Sequence, residues 1–230
     1  MSDAESPPSY YRATATAYGG FAAHSGRSSA DVVVIGGGYA GLNTALGLVE
    51  RGQSDIVLLE AQRIGHGASG RNGGFVFAGY SLGEAALLRQ LGPDHARALF
   101  LCTLGGVELI RKRVGRYRIP CALVDEGVLW ANWFRDAEVL RARQRFLAER
   151  FGVHWDWIPR ETLRELLRTE RYGDGLWERN ALHLHPLQLA VADPDDAVGH
   201  ADHAAHLLAQ KVVGDPGLDV DDQVAEDAEV

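Results

Sequence analysis

The chain has only two cysteines, Cys102 and Cys121, and they stand in no metal-binding or redox spacing. That excludes a disulfide scaffold and predicts two buried thiols in a reducing compartment, with the cytoplasm as the default location. No apolar run approaches the roughly 20 residues that a membrane-spanning helix needs. The start, Met1-Ser2-Asp3-Ala4-Glu5, lacks the basic and apolar regions of a secretory signal, so none is expected. Net charge is scarce in most of the chain: residues 1–190 carry +2, whereas residues 191–230 carry −10, which together give −8. The body therefore has no strong pull on nucleic acid or on a membrane surface. The last 40 residues also lack Arg, Phe, Tyr and Trp, whereas the body holds 21 Arg and all 19 aromatics. A segment so poor in large apolar groups cannot offset its ordering entropy, apart from a short helix around 201–211, and reads as a disordered acidic tail. His200, His203 and His206 recur there at helical spacing but have no thiolate beside them, so no metal site is assigned. Two origins fit this tail: loss of the native reading frame near Ala190, or a natural acidic extension.

What is present is ordinary for a soluble globular protein, 46% hydrophobic and 23% charged. One stretch organises it. Asp31-Val32-Val33-Val34-Ile35 is a β-branched run suited to a strand buried on both faces. Gly36-Gly37-Gly38-Tyr39-Ala40-Gly41 follows, then a helical pattern through Leu42, Ala45, Leu46 and Val49 that stops at Gly52. A second strand, Ile56-Val57-Leu58-Leu59, ends on Glu60. Together they form the first half of a Rossmann dinucleotide-binding unit. Gly36 permits the tight turn, Gly38 the approach of a pyrophosphate, and Gly41 close packing of helix on strand. The N–H groups and dipole of the helix start face the phosphates. Glu60 stands where a carboxylate accepts from ribose hydroxyls, which disfavours a 2′-phosphate and leaves NAD or FAD.

Residues 65–74 hold five glycines among Ser, Arg and Asn, which excludes a regular helix or central strand and suits close approach to a flat or charged ligand. Helices are predicted from 81 to 118, a short one and a longer one opened by Pro93, with Arg111-Lys112-Arg113 as a solvated last turn. Cys121–Val124 and Gly127–Ala131 read as paired strands bent at Asp125-Glu126. An Arg-rich helix at 136–150, a strand through Val153, Trp155 and Trp157, and a helix from Pro159 towards Arg168 follow. This mixture suggests an inserted, more antiparallel layer. Pro186 is placed to open a helix, and His183 and His185 read as packing or capping residues, with no metal assigned.

At Gly65–Gly74 the chain reaches a specific likeness. Gly-His-Gly-Ala-Ser-Gly-Arg-Asn-Gly-Gly, preceded by Leu58-Leu59-Glu60-Ala61-Gln62-Arg63, resembles the FAD-dependent oxidoreductases of the D-amino-acid oxidase type. Within them it is most similar to the γ-glutamylputrescine oxidase-like branch, a likeness shared by Tyr10-Tyr11, Asp125-Glu126-Gly127 and Leu182-His183-Leu184-His185-Pro186 over roughly residues 9–190. The resemblance implies FAD rather than NAD. It places Gly36, Gly38, Tyr39, Ala40 and Gly41 at the pyrophosphate and Glu60, with Ala61, at the adenosine ribose. Arg63, Ala68 and Ser69 would follow the phosphates, and Arg71, Asn72, Gly73 and Gly74 would approach the flavin ring. It implies oxidation of a C–N bond in a small amine or amino acid: a hydride passes to the flavin, the imine hydrolyses, and oxygen reoxidises the flavin.

The expected fold is α/β, α+β overall: the N-terminal part of a Rossmann-type FAD-binding domain with part of an inserted antiparallel-sheet substrate domain. Residues 1–30 form an arm that packs its aromatics on the domain, 31–80 the FAD half-unit and flavin loop, 81–180 a partial substrate layer, 181–190 a returning helix, and 191–230 the tail. Relatives of this kind are about twice as long as the matching part, so weak FAD binding and slow turnover are expected, and catalytic residues are left unassigned. A non-catalytic module using the acidic tail, and an NAD-dependent dehydrogenase, stand as alternatives.

Overall fold

A computed structural model describes residues 9–16, 21 and 23–191. The chain divides into two compact units, Met1–Arg71 with Ala190–Val230, and Asn72–Leu189. The division at 71/72 falls earlier than the boundary after residue 80 expected from sequence.

In the first unit a short helix α1 (Tyr10–Thr14) starts at Ser9, whose hydroxyl accepts from the Arg12 N–H at 3.2 Å. Tyr10 meets Tyr11 edge to face but is 73% exposed, so this ring is not packed on the domain as expected of the arm. Strands β1 (Val32–Ile35) and β2 (Ile56–Leu59) run parallel, joined by helix α2 (Tyr39–Val49). Val34, Ala45, Leu58 and Ile64 form the core. The alternation along β1 buries Val34 and leaves Ile35 84% exposed, so one face of this parallel pair is uncovered.

The second unit carries strand β3 (Phe75–Val76) and helix α3 (Glu84–Arg116). α3 is two helical limbs broken at Gly92 (φ 76°, ψ 169°), because Pro93 denies the residue before it a helical conformation. The two helices expected there are thus present. Strands β4 (Val128–Ala131), β5 (Asp156–Ile158) and β6 (Gly175–Glu178) form an antiparallel sheet in the order β4-β6-β5. Helix α4 (Glu138–Phe151) ends in left-handed Gly152, and α5 (Arg160–Leu167) follows Pro159. Strand β7 (Leu182–His183) pairs antiparallel with β3, and α6 (Pro186–Val191) opens on Pro186. Phe100, Leu147, Phe151, Trp155 and Leu176 pack one core cluster; Val107, Val114, Cys121, Leu182 and Leu184 pack another. The antiparallel layer read from sequence is therefore present.

All five tryptophans lie in this unit, each beneath a guanidinium: Arg143 over Trp130 and Trp155, Arg171 over Trp133, Arg141 over Trp157, Arg179 over Trp177. Stacking of this kind favours the cation electrostatically while covering the ring.

Three local expectations are corrected. Cys121–Val124 is not a strand: Ala122 takes φ 49°, and Val124 makes only an isolated bridge to His183, so β4 pairs with β6 instead. Arg111-Lys112-Arg113 is not a solvated turn. Arg113 is buried, and Arg111 grips Asp125 through two hydrogen bonds (2.7 and 2.8 Å) and Glu108 at 2.7 Å; of the three, only Lys112 is largely in water. The bidentate pair with Arg111 holds Asp125 below the usual carboxylate range. Of the two thiols only Cys121 is buried, where desolvation raises its pKa, while Cys102 is exposed.

Candidate cofactor site

β1 ends in the glycine turn. Gly36 has φ 103°, closed to ordinary side chains, and its N–H donates to the Leu59 carbonyl at 2.7 Å. A Cβ on Gly41 would collide with the Gly36 carbonyl and lie 3.3 Å from Val34 Cγ1, so α2 rests on β1 only because that side chain is missing. Gly38 caps α2 in extended conformation and offers no side chain to the first turn. Ser69 supplies one instead: its Oγ accepts from the Tyr39 N–H at 2.9 Å. Among the described residues, nothing accepts from the N–H groups of Gly38, Ala40 and Gly41. Three unsatisfied donors at the positive end of an eleven-residue helix make an anion seat.

Glu60 stands just past β2. Its Oε2 accepts from the Gly37 N–H at 2.5 Å and its Oε1 from the Gln62 N–H at 3.0 Å. A carboxylate has about four acceptor positions, so capacity remains for ribose hydroxyls. Gly65 N–H donates to the Gly37 carbonyl at 2.9 Å, which ties the loop after β2 to the turn. That loop carries Ala61, Arg63, Ala68 and Arg71 on its exposed surface, with a 3₁₀ turn at Ala68–Gly70 and the Arg71 Nε donating to the Gly67 carbonyl. The first unit thus brings Gly36, Gly38, Tyr39, Ala40, Gly41, Glu60 and Ser69 together around the start of α2.

Asn72, Gly73 and Gly74 belong to the second unit. Asn72 Oδ1 accepts from the Gly74 N–H at 2.9 Å, and Gly74 (φ 75°) lies so close to the Leu184 carbonyl that a Cβ would collide with it. This glycine is required by packing against the β7–α6 turn. His183 presents its ring to Phe75 at 4.9 Å, and His185 Nδ1 accepts from the Gln188 N–H at 3.1 Å, capping α6. That role needs neutral imidazole, and burial lowers the His185 pKa accordingly.

Sequence reasoning missed Gly37 and Ile64. A Cβ on Gly37 would run into Ile64 Cδ1, and the fingerprint reading passed Gly37 over as a free position. The signal was a glycine at the middle of the run Gly36-Gly37-Gly38, where the motif leaves the residue free. It also missed Glu178, 3% exposed, whose carboxylate accepts from Trp130 Nε1 at 2.9 Å; burial is the main influence on it and raises its pKa.

A β–α–β unit with a glycine turn, an unsatisfied helix start and an acid beyond the second strand defines a dinucleotide-binding protein. The chain belongs to the FAD dependent oxidoreductase (DAO) family, whose profile it matches over residues 31–207. That match runs past the change of composition at residue 191. The family's cofactor is FAD, and the free helix N–H groups with Glu60 suit its diphosphate and ribose.

The chain is 38% identical over 192 residues to gamma-glutamylputrescine oxidoreductase of Escherichia coli K12, covering 83% of this chain and 45% of that protein. Among solved structures, L-amino acid deaminase from Proteus vulgaris gives a TM-score of 0.60 at 20% identity, over 86% of this chain and 42% of that one. Glycine oxidase from Geobacillus kaustophilus gives 0.54 at 22% identity, over 80% and 46%. At such identities the likeness shows a shared fold. The chain spans less than half the length of these relatives. Among the described residues, no helix is long and apolar enough to cross a membrane, and no group of three or more His, Cys, Asp or Glu forms a metal cluster.

Proposed function

We propose that the chain carries the FAD-binding portion of an oxidoreductase that oxidises a C–N bond of a small amine or amino acid, with oxygen as final acceptor and the cytoplasm as its place of work. The observation that supports this best is the start of α2: Gly38, Ala40 and Gly41 offer N–H groups with no acceptor among the described residues, in a turn where a Cβ on Gly41 would strike the Gly36 carbonyl. Family membership directs that seat to FAD. Bound flavin supplies a two-electron acceptor for the hydride leaving the carbon beside the substrate nitrogen. The chain's own residues bind and orient. The N–H groups would hold the diphosphate and Glu60 the ribose, while Ser69 braces the helix start. The relative named for gamma-glutamylputrescine favours an amine that carries a distant acyl group over a free amino acid.

Residues 31–80 are assigned to the cofactor and 81–180 to the substrate layer. The altered composition from residue 191 supports an out-of-frame extension or an acidic tail; sequencing the gene downstream of Ala190 separates them, because a continuing oxidoreductase sequence in another frame is expected only of the first. With a two-stranded parallel sheet among the described residues, FAD binding is expected to be weak and turnover slow. Equilibrium dialysis of the purified chain against FAD and NAD, followed by a peroxide assay with amines, tests the reading. Retention of FAD alone is expected. Retention of NAD alone, or of neither, overturns it.

A further inference from the structure

We propose that Glu178, Arg143 and Glu84 form a proton-operated clasp, in which one guanidinium serves two carboxylates in turn and so fastens or frees the start of α3. All three lie in the second unit, on β6, α4 and α3. Here Arg143 is joined to Glu84, to which it donates two hydrogen bonds at 3.2 and 3.3 Å. The same guanidinium stands over the stacked rings of Trp130 and Trp155, 5.6 and 5.1 Å from their centroids. Glu178 accepts from the indole N–H of Trp130 at 2.9 Å and from the Ala78 N–H. The Glu84 side chain folds back over that segment, its Oε1 3.6 Å from the Cβ position of Gly79.

Charge in this cluster does not balance. Two carboxylates face one cation, with Glu178 3% exposed and the Glu84 side chain 13%. Burial favours the protonated form of Glu178, the Trp130 N–H, Arg143 and the Ala78 N–H oppose that, and the charge of Glu84 adds to it. The balance raises its pKa, so Glu178 gives up its proton above the ordinary carboxylate range.

Once ionised, a carboxylate so deeply buried demands a cation. Arg143 has a donor to spare: its Nε is buried with no hydrogen-bond partner among the described residues. Its bonds to Glu84 are also longer than the roughly 2.7–2.9 Å usual between such charges. Transfer of Arg143 to Glu178 leaves Glu84 without its cation. Glu84 opens the short limb of α3 that ends at the Gly92 break, well under the about 12 residues that an isolated helix needs. Freed from α4, that limb frays.

The test follows tryptophan emission and amide exchange of the full chain from mildly acidic to mildly alkaline pH. Emission reports the transfer because Arg143 roofs two indoles. The wild-type chain is expected to change emission once, above the ordinary carboxylate range. On the alkaline side residues 84–91 should exchange about tenfold faster after correction for the intrinsic rate. Glu178→Gln cannot ionise and should lose both changes. Glu84→Gln removes the like charge, so the emission midpoint should move to lower pH. The clasp is overturned by an emission change that survives Glu178→Gln, by a midpoint that Glu84→Gln leaves in place, or by corrected exchange at 84–91 that ignores pH. Should Glu178→Gln not fold, the Glu84→Gln midpoint decides alone.

Discussion

The two units are held together by opposite means. In the first, the decisive groups are side chains that are missing: a Cβ at Gly41 has nowhere to go, and one at Gly37 would displace Ile64. In the second, the decisive groups are the largest in the sequence, with Phe100, Phe151 and Leu147 at the core and every indole under an arginine. Backbone that must turn tightly and pack closely on itself has to be cleared, whereas a layer that must hold its shape has to be filled. Damage should therefore come from addition in one unit and from subtraction in the other.

The largest expected effect is subtraction in the second unit. Phe100→Ala, at a site 2% exposed, should cost about 3–5 kcal/mol, read as a shift in the urea midpoint. Addition in the first comes next: Gly41→Ala should cost on the order of 3 kcal/mol and abolish FAD retention, whereas Ala96→Gly in the second unit, removing as much as Gly41→Ala adds, should cost only about 1 kcal/mol. If Gly41→Ala binds FAD normally, the comparison fails.

Glu60→Gln keeps the shape of the ribose acceptor and removes its charge, so FAD affinity should fall about tenfold by fluorescence titration while stability changes less. Glu178 sharpens the comparison through pH. Its folded pKa is raised by burial, so the folded state holds the proton more tightly than the unfolded one. The stability it contributes is whole below the unfolded value and declines as pH rises through the folded one. Glu178→Gln should flatten that decline above the ordinary carboxylate range, and an unchanged slope would assign the pH dependence elsewhere. The smallest effect is expected on the surface: Arg171→Ala, uncovering exposed Trp133, should cost about 0.5–1 kcal/mol.

The glycine turn, α2, β2 and Glu60 were legible because strand, turn and helix are neighbours in sequence and their glycines have local causes. The break at Gly92–Pro93 was legible for the same reason. The pairing of β4 was not, because its partner β6 lies more than 40 residues on, and the local run Cys121–Val124 looked at least as good a strand. Burial of Arg113 was also hidden, since a basic triplet gives no sign of which member the core will take. Gly74 was placed by resemblance beside a flavin ring; the structure shows a packing need for glycine there in Leu184, 110 residues away, which no local pattern announces.

The uneven placement of the indoles makes the molecule its own spectroscopic reporter. Every tryptophan belongs to Asn72–Leu189, so intrinsic emission records the melting of that unit alone, while circular dichroism in the far ultraviolet records helices of both. Two denaturation curves from one sample then tell whether the glycine-built half and the arginine-roofed half come apart together or one after the other.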